Sequence, residues 1–184
     1  MIKDIQIKLL ENLLEEVTQK YDEILNEKDE KLKEITQKSL KDGLTNVYSR
    51  KFLSVFINKY MDKLNSFIVV FLDLDNFKYV NDNYGHEEGD RVLKKVGHIL
   101  KNSFRSDDFI IRYGGDEFIV IATNVNENML NRLTKRVEEA FKKYGISISY
   151  GTALYPQEGK SLKDLIFLAD QRMYEQKKAK KLNA

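Results

Sequence analysis

The chain has 184 residues, enough for one domain of ordinary size with some left over, and it is 42% apolar and 33% charged, a globular composition. A net charge of only +2 argues against a protein built to ride a nucleic-acid backbone. The lack of cysteine excludes a disulfide scaffold, a thiol nucleophile and a thiolate zinc site, and two histidines are too few for a His-rich metal centre.

Residues 1–41 contain no Gly or Pro and eighteen charged residues, 8 Lys against 10 Asp and Glu. Leu10, Leu14, Val17, Tyr21 and Ile24 alternate spacings of four and three, as a coiled-coil seam does. The stripe returns at Leu32 and Ile35, and the eight-residue step from Ile24 to Leu32 breaks the register like a stutter. Two readings follow: a solvated helix packed on its own domain, or a parallel dimerising stalk. The heptad spacing favours the stalk.

Residues 42–184 carry a net charge of +4 and open on an Asp42-Gly43 turn. Phe52, Phe56, Tyr60 and Leu64 predict one face of a helix. The continuous apolar run Phe67–Leu72 predicts a strand buried on both faces. Residues 75–90, polar and rich in Asn and Gly, predict a loop, and Val92, Val96, Ile99, Leu100 and Phe104 the inner face of the next helix. Phe109–Tyr113 and Phe118–Ile121 predict a hairpin around Gly114-Gly115. Leu130, Leu133, Val137 and Ala140 predict a helix ending at Gly145, and Ile146–Ala153 another strand. Ser161, with Asp164 in the capping-box position, predicts the start of a last helix. From residue 67 the order is βαββαβα, a ferredoxin-like α+β unit with extra elements. The longest apolar run falls far short of a bilayer span and the N-terminus alternates charge too early for a signal peptide. A cytoplasmic protein with neither membrane nor nucleic-acid partner is expected.

Two acidic clusters stand out. Asp73-Leu74-Asp75 ends the buried strand, where a period of two puts both carboxylates on one face with the Leu74 carbonyl between them. Asp116-Glu117 follows the Gly114-Gly115 turn. Acidic residues are depleted in strands, so clusters at two core-strand ends break a local rule, as functional sites do. Carboxylates completed by substrate phosphates are what Mg²⁺ takes. On neighbouring strands, Asp73 and Asp116 would hold two ions and activate a hydroxyl for in-line attack on phosphorus. The other reading is a set of solvated turn acids, and the residues alone leave both open. An EF-hand is excluded by Phe77, Lys78 and Tyr84 at its fifth, sixth and twelfth positions, and a P-loop by Leu154 where its first Gly belongs.

Gly114-Gly115-Asp116-Glu117-Phe118 resembles the signature of the GGDEF family of diguanylate cyclases. Asp73-Leu74-Asp75-Asn76-Phe77-Lys78, then Asn81-Asp82 and Tyr84 to Asp90, resemble its metal and guanine block. Asp42-Gly43-Leu44-Thr45 resembles its opening motif, and Ala169-Asp170 with Tyr174 and Lys177 its closing helix. The blocks stand in family order across 42–184, which implies a GGDEF catalytic domain with a nucleotidyl-cyclase or polymerase-palm core, preceded by the helix of 1–41.

The resemblance implies condensation of two GTP into cyclic di-GMP with release of two pyrophosphates. Asp73, the Leu74 carbonyl and Asp116 would bind Mg²⁺ or Mn²⁺. Asp116 with Glu117 would assist deprotonation of the ribose 3′-hydroxyl. Asn81 and Asp90 would read the guanine edge, whose N–H groups an aspartate can accept. His86 would line the pocket or merely open the following helix. Gly114 and Gly115 would let backbone approach the phosphates. Lys78, Lys177 and Lys181 would neutralise the triphosphate. Lys180-Lys181 replaces the family's usual Gly-Arg, keeping charge but losing the bidentate fork. Arg105 and Asp108, with Arg136 on the next helix, match the family's product-inhibition site. Because one domain holds one GTP, the resemblance implies a homodimer through the N-terminal helix. The alternative is a silent domain that senses GTP or cyclic di-GMP, or serves as a scaffold.

Overall fold

The computed structural model describes residues 2–182. The chain divides between Ser39 and Leu40 into two compact units. The first is a single helix, α1 (Ile2–Ser39), which ends two residues before the end of the Gly- and Pro-free segment that predicts it. Its seam residues Leu10, Leu14, Val17, Tyr21 and Ile24 are all exposed. The side chains of Leu32 and Ile35, expected to continue the seam, lie outside the described residues.

The second unit runs β1 (Tyr48–Ser49), α2 (Phe52–Lys59), β2 (Phe67–Leu74), α3 (Phe77–Tyr84), α4 (His86–Ser103), β3 (Phe109–Gly114), β4 (Glu117–Thr123), α5 (Glu127–Lys143), β5 (Ile148–Tyr155) and α6 (Leu162–Leu182). Its five strands lie in the order β1-β3-β4-β2-β5. β2 is antiparallel to both β4 and β5, and all eight of its residues are buried, as its unbroken apolar run requires. Strand alternation then sorts the core. Ile68, Val70 and Leu72 face one way with Leu93, Val96 and Leu100 of α4 and Val137 and Phe141 of α5. Phe67, Val69 and Phe71 face the other way with Phe52 and Phe56 of α2 and Leu165, Ala169 and Met173 of α6. By the same alternation Asp73 falls on the α6 side. Ser161 caps α6 as predicted: its hydroxyl donates to the Asp164 carboxylate at 2.6 Å and accepts from the Asp164 N–H at 3.1 Å.

Two expectations are corrected. The predicted loop at 75–90 is mostly helical, α3 and the start of α4 hinged at Gly85. Its apolar signal is short: partly buried Phe77 packs on the core, and Asn76 takes a left-handed φ of 61° to turn the chain out of β2. Also unforeseen, β1 pairs in parallel with β3 at the sheet edge. Two residues are too few to show a period.

Candidate active site

The site forms where β2 and β4 end side by side. Asp73 lies opposite Glu117 in the strand register and is itself 8% exposed. Asp116 occupies the β3–β4 turn, where Gly115 takes a φ of +31°. A Cβ at Gly114 would come within 3.3 Å of the Glu117 carboxylate. Burial, and after it the charge of Asp73, raises the Asp116 carboxyl above its ordinary pKa. Glu117 is raised too, by burial first and then by Asp73, Asp116 and Asp170. From α6 the Lys177 ammonium donates to Asp73 Oδ1. Several carboxylates thus share Lys177, and Arg112 adds a second positive charge near Asp116. Among the described residues no three acidic or histidine side chains close around a metal ion by themselves. The donor set fits Mg²⁺ or Mn²⁺ because such ions accept one or two carboxylates and complete their shell with substrate phosphates and water. A cation there would relieve the repulsion that lifts Asp116 and Glu117.

Asn81 on α3 packs against α4 at Gly89, the residue before the exposed Asp90. A Cβ added at Gly89 would fall 2.0 Å from Asn81 Oδ1, so the absent side chain is what lets Asn81 lie against the helix beside Asp90. His86 is the exposed first residue of α4. Lys78 on α3 and Lys181 at the end of α6 are exposed, and the structure gives neither a contact with the acidic cluster. Lys180, which stands where the family usually has Gly, donates to Asp75 Oδ2 at 3.0 Å and to the Ile148 carbonyl. Arg105, Asp108 and Arg136 do come together, lining one groove of about 240 Å³ with Arg132. Asp108 is not a solvated turn acid: its oxygens accept the N–H groups of Arg105 (2.8 Å) and Thr123 (2.9 Å).

Several supporting residues carried no assigned role in the sequence reading. Arg112 donates to the Gly115 carbonyl at 2.8 and 3.0 Å and to both carboxylate oxygens of Asp42 at 3.2 Å. It therefore ties the signature turn to the opening motif. Asp42 also accepts from the Thr45 N–H at 2.8 Å and hydroxyl at 2.6 Å. Burial alone would raise the Asp42 carboxyl, but Thr45 and Arg112 outweigh it and hold it below its ordinary value. Asp170 adds charge at Glu117, and Arg132 joins the second groove. Spacing does not reveal the Arg112–Asp42 bridge, because it joins segments seventy positions apart in the chain.

The fold and the paired acidic strand ends define a nucleotide-chemistry domain of the ferredoxin-like type. The family described as diguanylate cyclase, GGDEF domain, matches residues 39–183, and the chain belongs to it. It is 34% identical over 157 residues to the bifunctional diguanylate cyclase/cyclic di-GMP phosphodiesterase MucR of Pseudomonas aeruginosa, covering 79% of this chain and 23% of that protein. It is 32% identical over 147 residues to the diguanylate cyclase DosC of Escherichia coli, covering 72% of this chain and 32% of that one. A sensory box/GGDEF family protein of Caulobacter crescentus has the same fold, with a TM-score of 0.70 and 30% identity over 76% of this chain and 99% of that one. The chain thus spans about a quarter to two fifths of the length of such curated relatives. No helix among the described residues is long and apolar enough to cross a membrane.

Proposed function

We propose that this chain is a diguanylate cyclase that joins two GTP into cyclic di-GMP and releases two pyrophosphates. The observation that carries the reading is the crowding of Asp73, Asp116 and Glu117 at two adjacent strand ends, with Lys177 across from them, in a chain of this family. Asp73, the Leu74 carbonyl and Asp116 would hold Mg²⁺ or Mn²⁺, which would supply Lewis-acid stabilisation of phosphoryl charge. Asp116, with Glu117 beside it, takes the proton of the ribose 3′-hydroxyl. The 3′-oxygen then bonds the α-phosphorus of the facing GTP as the bond to its β-phosphate bridge breaks and pyrophosphate leaves. Lys78, Lys177 and Lys181 bear on the triphosphate, Gly114 and Gly115 let it approach, and Asn81 and Asp90 read guanine, with His86 at the pocket mouth.

The domain organisation belongs to this reading. Residues 42–184 are the catalytic domain, and 1–41 form a stalk that pairs with a second copy. One domain holds one nucleotide, so the two sites must face each other across a two-fold. A paired stalk raises the effective concentration of one domain at the other. The exposed α1 seam supports it. Arg105, Asp108 and Arg136 form the proposed product-inhibition site, supported by three arginines on one groove, a charge that suits a cyclic dinucleotide.

Incubation of the purified chain with GTP and Mg²⁺, followed by mass spectrometry, tests the proposal. Cyclic di-GMP is expected, and Asp116→Ala should cut its formation by about a thousandfold with the circular dichroism spectrum unchanged. Nucleotide binding without product at any protein concentration would replace the enzyme with a sensor.

A further inference from the structure

Lys180 pairs with Asp75. It lies three residues beyond Lys177 on α6, so the two ammoniums leave the same helical face about 4.5 Å apart along the axis. Opposite them on β2 and just past its end stand Asp73 and Asp75, a two-residue step of about 6.6 Å on one strand face. Lys177 pairs with Asp73 and Lys180 with Asp75, giving two ionic rungs between one helix and one strand. The Asp75 rung is built into the fold. Asp75 Oδ1 accepts the Ser149 hydroxyl at 2.6 Å and Oδ2 the Ser147 hydroxyl at 2.5 Å, while its N–H donates to the Ser147 carbonyl at 3.0 Å. Lys180 also donates to the carbonyl of Ile148, the residue between those serines. The entry to β5, the end of β2 and the last turns of α6 therefore meet on one carboxylate, whose side chain is only 11% exposed.

We propose that Lys180 and Asp75 form a positioning pair that clamps the end of α6 to the β2–β5 edge and so holds Lys177 at the acidic cluster. Lys180 is a positioning residue, acting on nucleotide only through Lys177. Its effect on nucleotide rests on the proposed GTP site, whereas the clamp itself does not.

Two measurements on the full chain separate the parts. The first is amide hydrogen exchange in residues 174–182 without nucleotide. Lys180→Met should speed exchange there by about tenfold, and Lys180→Arg, which keeps a cation for Asp75, should restore protection. Unchanged exchange in Lys180→Met would overturn the clamp. The second is affinity for the non-reactive analogue α,β-methylene-GTP with Mg²⁺. Lys180→Met should weaken binding by about fivefold, while Lys177→Ala/Lys180→Met should bind no more weakly than Lys177→Ala alone. Losses that add would mean that Lys180 touches the triphosphate itself, and would overturn the positioning role. A wild-type chain that fails to bind the analogue would defeat the GTP reading, and the exchange comparison would still decide the clamp.

Discussion

The two units of this chain bury apolar surface in opposite ways. The domain beyond Leu40 has apolar strands sandwiched between helices on both sides, with Phe56, Phe67, Ile68, Val69, Leu100, Ile111, Ile119, Ile121 and Leu165 at 0% exposure. Helix α1 leaves large apolar residues in solvent along its described part, Leu14 at 69% and Val17 at 63%. A domain of the first kind supplies its own stability, since each buried large side chain contributes about 1.5–3 kcal/mol. A helix of the second kind gains that energy only from another helix. The difference teaches how the proposed condensation would be arranged on one sequence: the folded domain makes the site, and the proposed stalk brings two sites together.

Substitutions confined to one unit should break the comparison cleanly. The largest effect belongs to Gly151, where α6 lies so close on β5 that a Cβ would sit 2.1 Å from the Ala169 carbonyl oxygen. Gly151→Val should destabilise the domain by about 3 kcal/mol or more, read as a lost cooperative transition in urea, because backbone on a packed helix cannot retreat. The stalk should still pair. The reverse experiment places charge on the seam. Leu14→Glu/Val17→Glu should leave the domain's thermal midpoint within about 2 °C. It should abolish the dimer in sedimentation equilibrium and lower specific activity at low protein concentration by more than tenfold, about 1.4 kcal/mol. Activity that ignores this change would detach the stalk from catalysis.

The smallest effect concerns pH and the domain alone. The folded Asp42 carboxyl lies below its ordinary 3.8, so its stabilisation is complete above that value and is lost as pH falls through the depressed one. Asp42→Asn should cost about 1 kcal/mol at pH 7 and flatten the acid limb of the urea midpoint below pH 4. An unchanged acid limb would mean that the contacts of Asp42 with Thr45 and Arg112 contribute nothing measurable.

Much of the domain is legible in the residues because its signals are local. Phe67–Leu72 can only be an interior strand, Gly114-Gly115 can only turn, and Ser161 caps its helix through a partner three residues away. The helical start of 77–90 escapes notice because its burial rests on a few residues, Phe77 and Val80 of α3 among them, amid Asn, Asp and Gly that favour loops in isolation. The acidic clusters are visible as violations of strand preference. Their mutual distance is not, since Asp73 and Glu117 are forty-four positions apart and become neighbours only when β4 pairs with β2.

Sequence by itself determined the family, the order of elements and the identity of the acidic residues, because motif spacing and hydrophobic period are properties of the chain read in line. The tertiary structure alone decided which of several lysines meets which aspartate. From sequence Lys177, Lys180 and Lys181 are equivalent cations near one helix end. The fold sends Lys177 to Asp73 and Lys180 to Asp75, and leaves Lys181 exposed. That assignment depends on how a helix of period 3.6 lies over strands of period two, and on a glycine at position 151 that lets it lie so close.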